Sequence, residues 1–278
     1  MQISLGFSTC PNDTFIFDAL VNGKIDTEGI EFKPYLTDVE DLNELAFKNK
    51  LDVTKLSYHA WLQVWKSYRI LDSGSALGKG SGPVWVGKNA CLDLANQQVS
   101  VAIPGEHTTA NLLLSLAYPN VTSKKVYLFS DIEQAILDGQ VDTGVLIHEN
   151  RFTYQKKGLV LLSDLGKYWS ETTKTPIPLG GIMIHRRLPL TIANTVNRLI
   201  RKSLEYAYSY PAGTIEYIRK YAQSMDQDVL EAHLQTFVNE YSLSLGKEGE
   251  KSISILIEKA ISSGLIIERP MDYFLYQA

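Results

Sequence analysis

The sequence predicts an α/β protein of two lobes with a ligand cleft between them. Three observations lead there. Short β-branched and aromatic runs alternate with helix-like runs in the N-terminal third, the pattern of a parallel sheet. The same order begins again near Val99, and a helical segment runs from Pro189 to about Ser263.

The first unit reads strand (Ile3–Ser8), helix (Phe15–Asn22), strand (Ile30–Leu36), helix (Val39–Lys48) and strand (Val53–Leu56). Its first strand delivers the polar, proline-stiffened loop Thr9-Cys10-Pro11-Asn12-Asp13-Thr14 onto a helix start. Asn12, Asp13 and Thr14 are all good N-cap residues. A helix start at a strand's carboxyl end is where open α/β proteins receive ligands, and its free N–H groups attract carboxylates.

The second unit reads strand (Val99–Ile103), polar loop (Pro104–Thr109), helix (Ala110–Ala117), strand (Lys125–Phe129), helix (Ile132–Leu137) and strand (Gly144–Ile147). Details repeat as well as order. Thr37-x-x-Glu40 and Ser130-x-x-Glu133 both carry a capping-box pattern. Leu51-Asp52 and Val141-Asp142 then lead into matching strands that end at Lys55-Leu56-Ser57 and Ile147-His148.

Two apolar stretches preceded by glycine and proline, Val84–Gly87 and Gly181–His185, are placed as crossings between lobes. The first lobe is then residues 1–86 with 184–278, and the second 87–183. Turn signals at Pro211-Ala212-Gly213, Ser224-Met225-Asp226 and Leu245-Gly246 divide the C-terminal helices, which are expected to pack on the first lobe.

Bulk properties narrow the function. A chain of 278 residues with 45% hydrophobic and 21% charged side chains supports a substantial core. A net charge of -4 and scattered Lys and Arg give no footprint for nucleic acid. No apolar run approaches a membrane span, and no export segment is visible at the N-terminus. With only Cys10 and Cys91, the chain reads as a reduced, cytoplasmic protein without metal-binding spacing. The expectation is no cofactor, no metal, no nucleic acid and no membrane partner.

His148 stands where a buried strand leaves the sheet and opens into the cleft. A neutral imidazole there suits proton transfer near pH 7; the bland alternative is a histidine bonded to a carbonyl. His107 lies in the second lobe's loop as either a substrate contact or a solvated residue. Thr108 and Thr109 can cap the following helix and bind a carboxylate together. Lys55 and Ser57 hold the first-lobe position equivalent to His148, Lys55 as a charge partner or an edge solubiliser and Ser57 as a donor. Ser57 lacks a nucleophile elbow. Gly74–Pro83 is glycine-rich without a P-loop ending. His59, Trp61 and Trp65 read as packing, His185 and His233 as structural, and Glu149 and Arg151 as a local ion pair or surface. At Cys10 a helix start lowers the thiol pKa and burial raises it.

Several segments in this order resemble the 1,4-dihydroxy-6-naphthoate synthase family of the futalosine route to menaquinone. They are Ser8–Phe15, Thr54–Tyr58, Ser75–Pro83, Pro104–Ala110, Ile147–Tyr154 and Val238–Ser242, which together span nearly the whole chain. Asn150 stands where the family often has serine. The resemblance implies a periplasmic-binding-protein-like (type 2) fold and a carbon–carbon lyase acting on cyclic dehypoxanthine futalosine. It implies His148 as the base that takes a proton from the sugar-derived part, followed by bond cleavage and ring aromatisation. Lys55, Leu56 and Ser57 would bind substrate from one lobe, and Thr108 and Thr109 from the other. The helix starts at Asn12–Thr14 and Thr108–Thr109 compete for the substrate carboxylate. Competing readings are a chorismate-dehydrating sister enzyme, a non-enzymatic small-acid binding protein and a regulator's effector domain.

Overall fold

A computed structural model describes residues 1–90, 92, 99–222 and 226–275. Cys91 and the Ser224-Met225 turn signal lie outside the described residues. The elements are β1 (Gln2–Phe7), α1 (Pro11–Val21), β2 (Glu31–Leu36), α2 (Val39–Phe47), β3 (Val53–Ser57), α3 (Tyr58–Val64), β4 (Tyr68–Ile70), β5 (Ala76–Gly78) and β6 (Val84–Gly87). Then come β7 (Val101–Ile103), α4 (Thr109–Ala117), β8 (Lys124–Val126), α5 (Ile132–Leu137), β9 (Thr143–Leu146), two 3₁₀ turns (His148–Phe152 and Tyr154–Lys157), β10 (Val160–Asp164), α6 (Leu165–Thr173) and β11 (Ile177–His185). The C-terminal helices are α7 (Leu190–Ser209), α8 (Pro211–Arg219), α9 (Gln227–Phe237), α10 (Glu240–Leu243) and α11 (Gly246–Ser262).

The strands form two sheets, one for each lobe. The first runs β2-β1-β3-β11-β4 with β5 also on β11, and the second runs β10-β6-β9-β7-β8. In each, the three strands of the predicted unit pair in parallel: β2-β1-β3 and β8-β7-β9. Antiparallel β11 and β6 extend these cores.

The internal repeat reaches single hydrogen bonds. The Asp52 carboxylate accepts from Ser4 N–H (2.9 Å) and Ser4 Oγ (2.7 Å), while Asp52 N–H donates to Ser4 Oγ (2.8 Å). Asp142 and Ser100 repeat all three, at 2.8, 2.7 and 2.9 Å. The two aspartates are those that the sequence comparison of the units aligns. Each ties the start of its third strand to its first.

Other local expectations change. The N-cap of α1 is Cys10, with Pro11 in the first turn, because proline's fixed φ and missing N–H suit that position. Asn12, Asp13 and Thr14 therefore fall inside the helix. Neither capping box forms. Asp38 caps α2 through Glu40 N–H, and Thr37 turns to Asp41 instead; Asp131 precedes α5 with no side-chain cap.

The passage between sheets also falls earlier than the sequence spacing places it. Val84–Gly87 pairs wholly within the second sheet, and Ile177–His185 wholly within the first. Residues 79–83, with their glycines and Pro83, make the first passage ahead of β6, and residues 174–176 make the second ahead of β11, whereas Pro178 and Gly180 are already paired within the first sheet. Helices α7, α8 and α9 pack on α1 as expected, but α9 also touches the 3₁₀ turn at His148. That contact shapes the site. Among the described residues no helix is long and apolar enough to cross a membrane.

Candidate active site

A cleft lies where the strand ends of both lobes meet, the place at which open α/β folds receive ligands. Asn12, Lys55 and Ser57 line it from the first lobe; Thr108, Thr109, His148 and Arg151 line it from the second; Leu179, Gly180 and Phe237 complete the wall.

His148 opens the 3₁₀ turn that follows β9, with φ 55, a left-handed conformation uncommon for a residue with a side chain. Such strain persists only where the surroundings enforce it, and it clusters at functional positions. Its ring lies between Phe129, edge-on at 4.9 Å, and His233, stacked at 6.2 Å with 25° between planes. Its Nε2 is enclosed without a hydrogen-bond partner. Burial pulls the pKa down to about 4, with Asp13 opposing and Lys55 assisting that shift. The ring is therefore neutral and free to accept a proton at neutral pH.

Beneath the cleft floor a buried polar chain runs between elements. Lys55 Nζ pairs with Asp13 at 2.7 Å, both nearly sealed from solvent. Asp13 also accepts from Ser8 N–H (3.0 Å), Ser8 Oγ (2.6 Å) and Asn12 Nδ2 (2.8 Å). Since Asn12 donates its amide to Asp13, its Oδ1 faces His233 Nε2 at 2.9 Å. An amide oxygen only accepts, so His233 carries its proton on Nε2 and leaves Nδ1 bare. That Nδ1 is buried without a partner. Burial first, and then the proximity of the His148 ring and of the cations Lys55 and Arg151, hold the His233 pKa well below the usual histidine range.

The other candidate residues divide. Ser57 lines the cleft, its N–H held by Asn43 Oδ1 at 3.1 Å. Thr108 caps α4 through Asn111 N–H at 3.3 Å, and Thr109 Oγ donates to Leu179 O at 2.6 Å. Asp13, Thr14 and Leu56 are fully buried and do not line the cleft. Thr14 spends its hydroxyl on Cys10 O (3.0 Å).

His107 is also outside the lining and ties the lobes together. Its N–H donates to Glu40 at 2.9 Å, its ring meets Gln63 at 3.1 Å, and it packs edge-on against Phe47 at 4.6 Å. Gly105 makes that approach possible: its φ is 153°, and a Cβ there would stand 2.4 Å from the Glu40 carboxyl carbon. His59 adds a second tie, its Nδ1 3.2 Å from Thr108 O.

Two functional candidates escape the sequence reading. Arg151 lines the cleft with Nε buried and unpartnered, its guanidinium donating to Gly82 O and lying 3.9 Å from Asp164. His233 stands in the buried stripe Val229, Leu230, His233, Phe237 of α9, and a histidine in an otherwise apolar stripe was its only signal. Cys10, His148 and Glu149 place donor atoms within 4.8 Å of one another. Burial, then the charge of Glu149, hold the Cys10 thiol well above its ordinary range, so burial outweighs the helix start.

Two α/β lobes facing a cleft, with the His148 imidazole enclosed just past one strand end, define a protein of periplasmic-binding-protein-like fold. The chain belongs to the menaquinone biosynthesis family, whose family model matches residues 3–262. It is 41% identical to a 1,4-dihydroxy-6-naphthoate synthase of Thermus thermophilus over 98% of this chain and 99% of the relative. It is 36% identical to the Streptomyces coelicolor enzyme of the same name over 95% and 94%. A solved Archaeoglobus fulgidus protein superposes with TM-score 0.90 at 36% identity, covering 95% of this chain and 98% of that one. The ligand-binding component of a Staphylococcus aureus ABC-type import system shares the fold, with TM-score 0.72 at 11% identity over 99% and 96%.

Proposed function

We propose that this chain is a 1,4-dihydroxy-6-naphthoate synthase, a carbon–carbon lyase that forms the naphthoate from cyclic dehypoxanthine futalosine with His148 as general base. The observation that carries the reading is the His148 ring: it lines the cleft, is neutral at physiological pH and presents an enclosed, unpartnered Nε2. The two near-full-length relatives are named for the product, 1,4-dihydroxy-6-naphthoate, which supports the product side of this reading.

In this reading His148 removes a proton from the sugar-derived part of the substrate. Cleavage of a carbon–carbon bond and aromatisation of the second ring follow, and aromatisation supplies driving force. The chain then needs to bind, exclude water and hold one proton. An acid substrate brings negative charge beside the His148 ring and raises its pKa, so the base strengthens when substrate is seated. Arg151, with a buried donor still unused, and the helix start at Thr108–Thr109 both line the second-lobe side of the cleft. Of these, the guanidinium is the stronger partner for the naphthoate carboxylate. Ser57 and Lys55 meet the substrate from the first lobe. The same reading places the enzyme in the cytoplasm, which cell fractionation tests.

The direct test is purified protein with cyclic dehypoxanthine futalosine, followed by ultraviolet absorbance and product mass. Dihydroxynaphthoate is the expected product. Tight binding without turnover, or loss of an enolpyruvyl group from chorismate instead, contradicts the reading.

A further inference from the structure

We infer that Cys10, His148 and Glu149 form a binding site for a thiophilic divalent cation of the zinc class, and that occupying it withdraws His148 from proton transfer. The binding claim is independent of the proposed reaction; only the inhibitory consequence rests on it.

Three elements build the site. Cys10 leaves β1 as the N-cap of α1, while His148 and Glu149 leave β9 as neighbours. The left-handed backbone at His148, φ 55, turns the chain sharply there. It brings the two consecutive side chains and Cys10 together, with one donor atom of each within 4.8 Å of the others. Zinc holds sulfur at about 2.3 Å and nitrogen or oxygen at about 2.0–2.2 Å, so a tetrahedral ion sets its donors roughly 3.5 Å apart. The three groups therefore need to close by about 1 Å, within the reach of side-chain rotation.

The chemistry of the set matches a borderline cation. Thiolate, imidazole and carboxylate are the three zinc donor classes. Cys10 is 4% exposed and Glu149 2% exposed, so hydration competes weakly once an ion enters. Three carboxylates, Glu149, Asp13 and Asp38, bear on the Cys10 sulfur. Lys55 neutralises one of them, Asp13, which leaves a negative field at the sulfur. The enclosed His148 Nε2 has no partner to lose. On binding, the Cys10 thiol releases its proton to solvent as the sulfur–metal bond forms, and the His148 lone pair is donated to the metal. That lone pair is the one the proposed reaction needs.

The test uses the full chain, stripped with chelator and titrated with Co²⁺ as a spectroscopic stand-in. A near-ultraviolet thiolate-to-cobalt band should grow to one equivalent. It should persist in Cys91→Ser and vanish in Cys10→Ser. Glu149→Gln should weaken binding by more than the 10–100-fold typical of losing an outer-shell partner, with far-ultraviolet circular dichroism confirming that each variant is folded. Zn²⁺ should inhibit turnover of the parent reversibly and spare Cys10→Ser. No cobalt band, or a band and an inhibition that both survive Cys10→Ser, overturns the proposal. Because the band is read without substrate, its failure is distinct from failure of the proposed reaction.

Discussion

His148 and His233 stack across the meeting of the two lobes, with ring centroids 6.2 Å apart and planes 25° from parallel. His148 stands just past a strand of the second sheet, at the start of a 3₁₀ turn, while His233 rides on α9, which packs on α1 of the first lobe. The enclosure that lowers the His148 pKa is thus assembled by the lobes together. Separation of the lobes would hydrate the ring and return it toward its ordinary value.

Removing the stacked ring should show this directly. In His233→Ala, water reaches His148 and its pKa rises from about 4 toward the ordinary histidine value of about 6.5. The acid limb of the pH profile of kcat/KM should move up accordingly. His233→Phe keeps the enclosure, and so keeps the limb, but strands Asn12 Oδ1 at a cost of about 1–3 kcal/mol. Identical acid limbs in wild type and His233→Ala would contradict the assignment.

Folding stability should fall in mild acid. Burial lowers the pKa of His59 and His148 to about 4, and holds that of His233 well below the usual histidine range. Unfolded histidines titrate near 6.5, so between the two values the unfolded chain binds protons the folded chain refuses. Their contribution is complete above about pH 6.5 and declines as pH falls toward about 4. Urea midpoints across that range measure it; a flat midpoint would count against buried neutral rings.

The Lys55–Asp13 pair should be a stability element as well as part of the cleft wall. Lys55→Met leaves the Asp13 carboxylate buried without its cation, which costs about 3–5 kcal/mol. The double variant with Asp13→Asn should recover much of that loss. Chemical denaturation of the single and double variants reads both effects, and equal stability of single variant and wild type would refute the role.

Arg151 should discriminate acid from ester. Hydrogen bonds to charged groups contribute about 1.5–3 kcal/mol, so Arg151→Gln should raise KM for the acid substrate about 10–100-fold. A methyl ester of the substrate should lose its disadvantage in the variant. An unchanged KM would return the carboxylate to the helix start at Thr108–Thr109.

The sequence carried the alternation of strands and helices, the repeat with its paired Asp52 and Asp142, and His148 at a strand end, because these are local signals. Contacts distant in sequence escaped it. Asn12 reads as an N-cap until His233, 221 residues away, takes its Oδ1. Asp13 and Thr14 read as ligand contacts because the proline that shifts the helix start upstream also draws them into the buried first turn. Arg151 resembles a surface residue near Glu149 until the turn after His148 folds it against Gly82. His107 looked like a substrate contact because loop position does not reveal that its partners, Glu40 and Phe47, belong to the opposite lobe.

The measurement closest to the central claim compares wild type with His148→Asn on cyclic dehypoxanthine futalosine, using calorimetric binding and single-turnover product mass on the same preparations. The account predicts similar binding and a fall in turnover of roughly 10²–10⁴. Undiminished turnover in His148→Asn would contradict it.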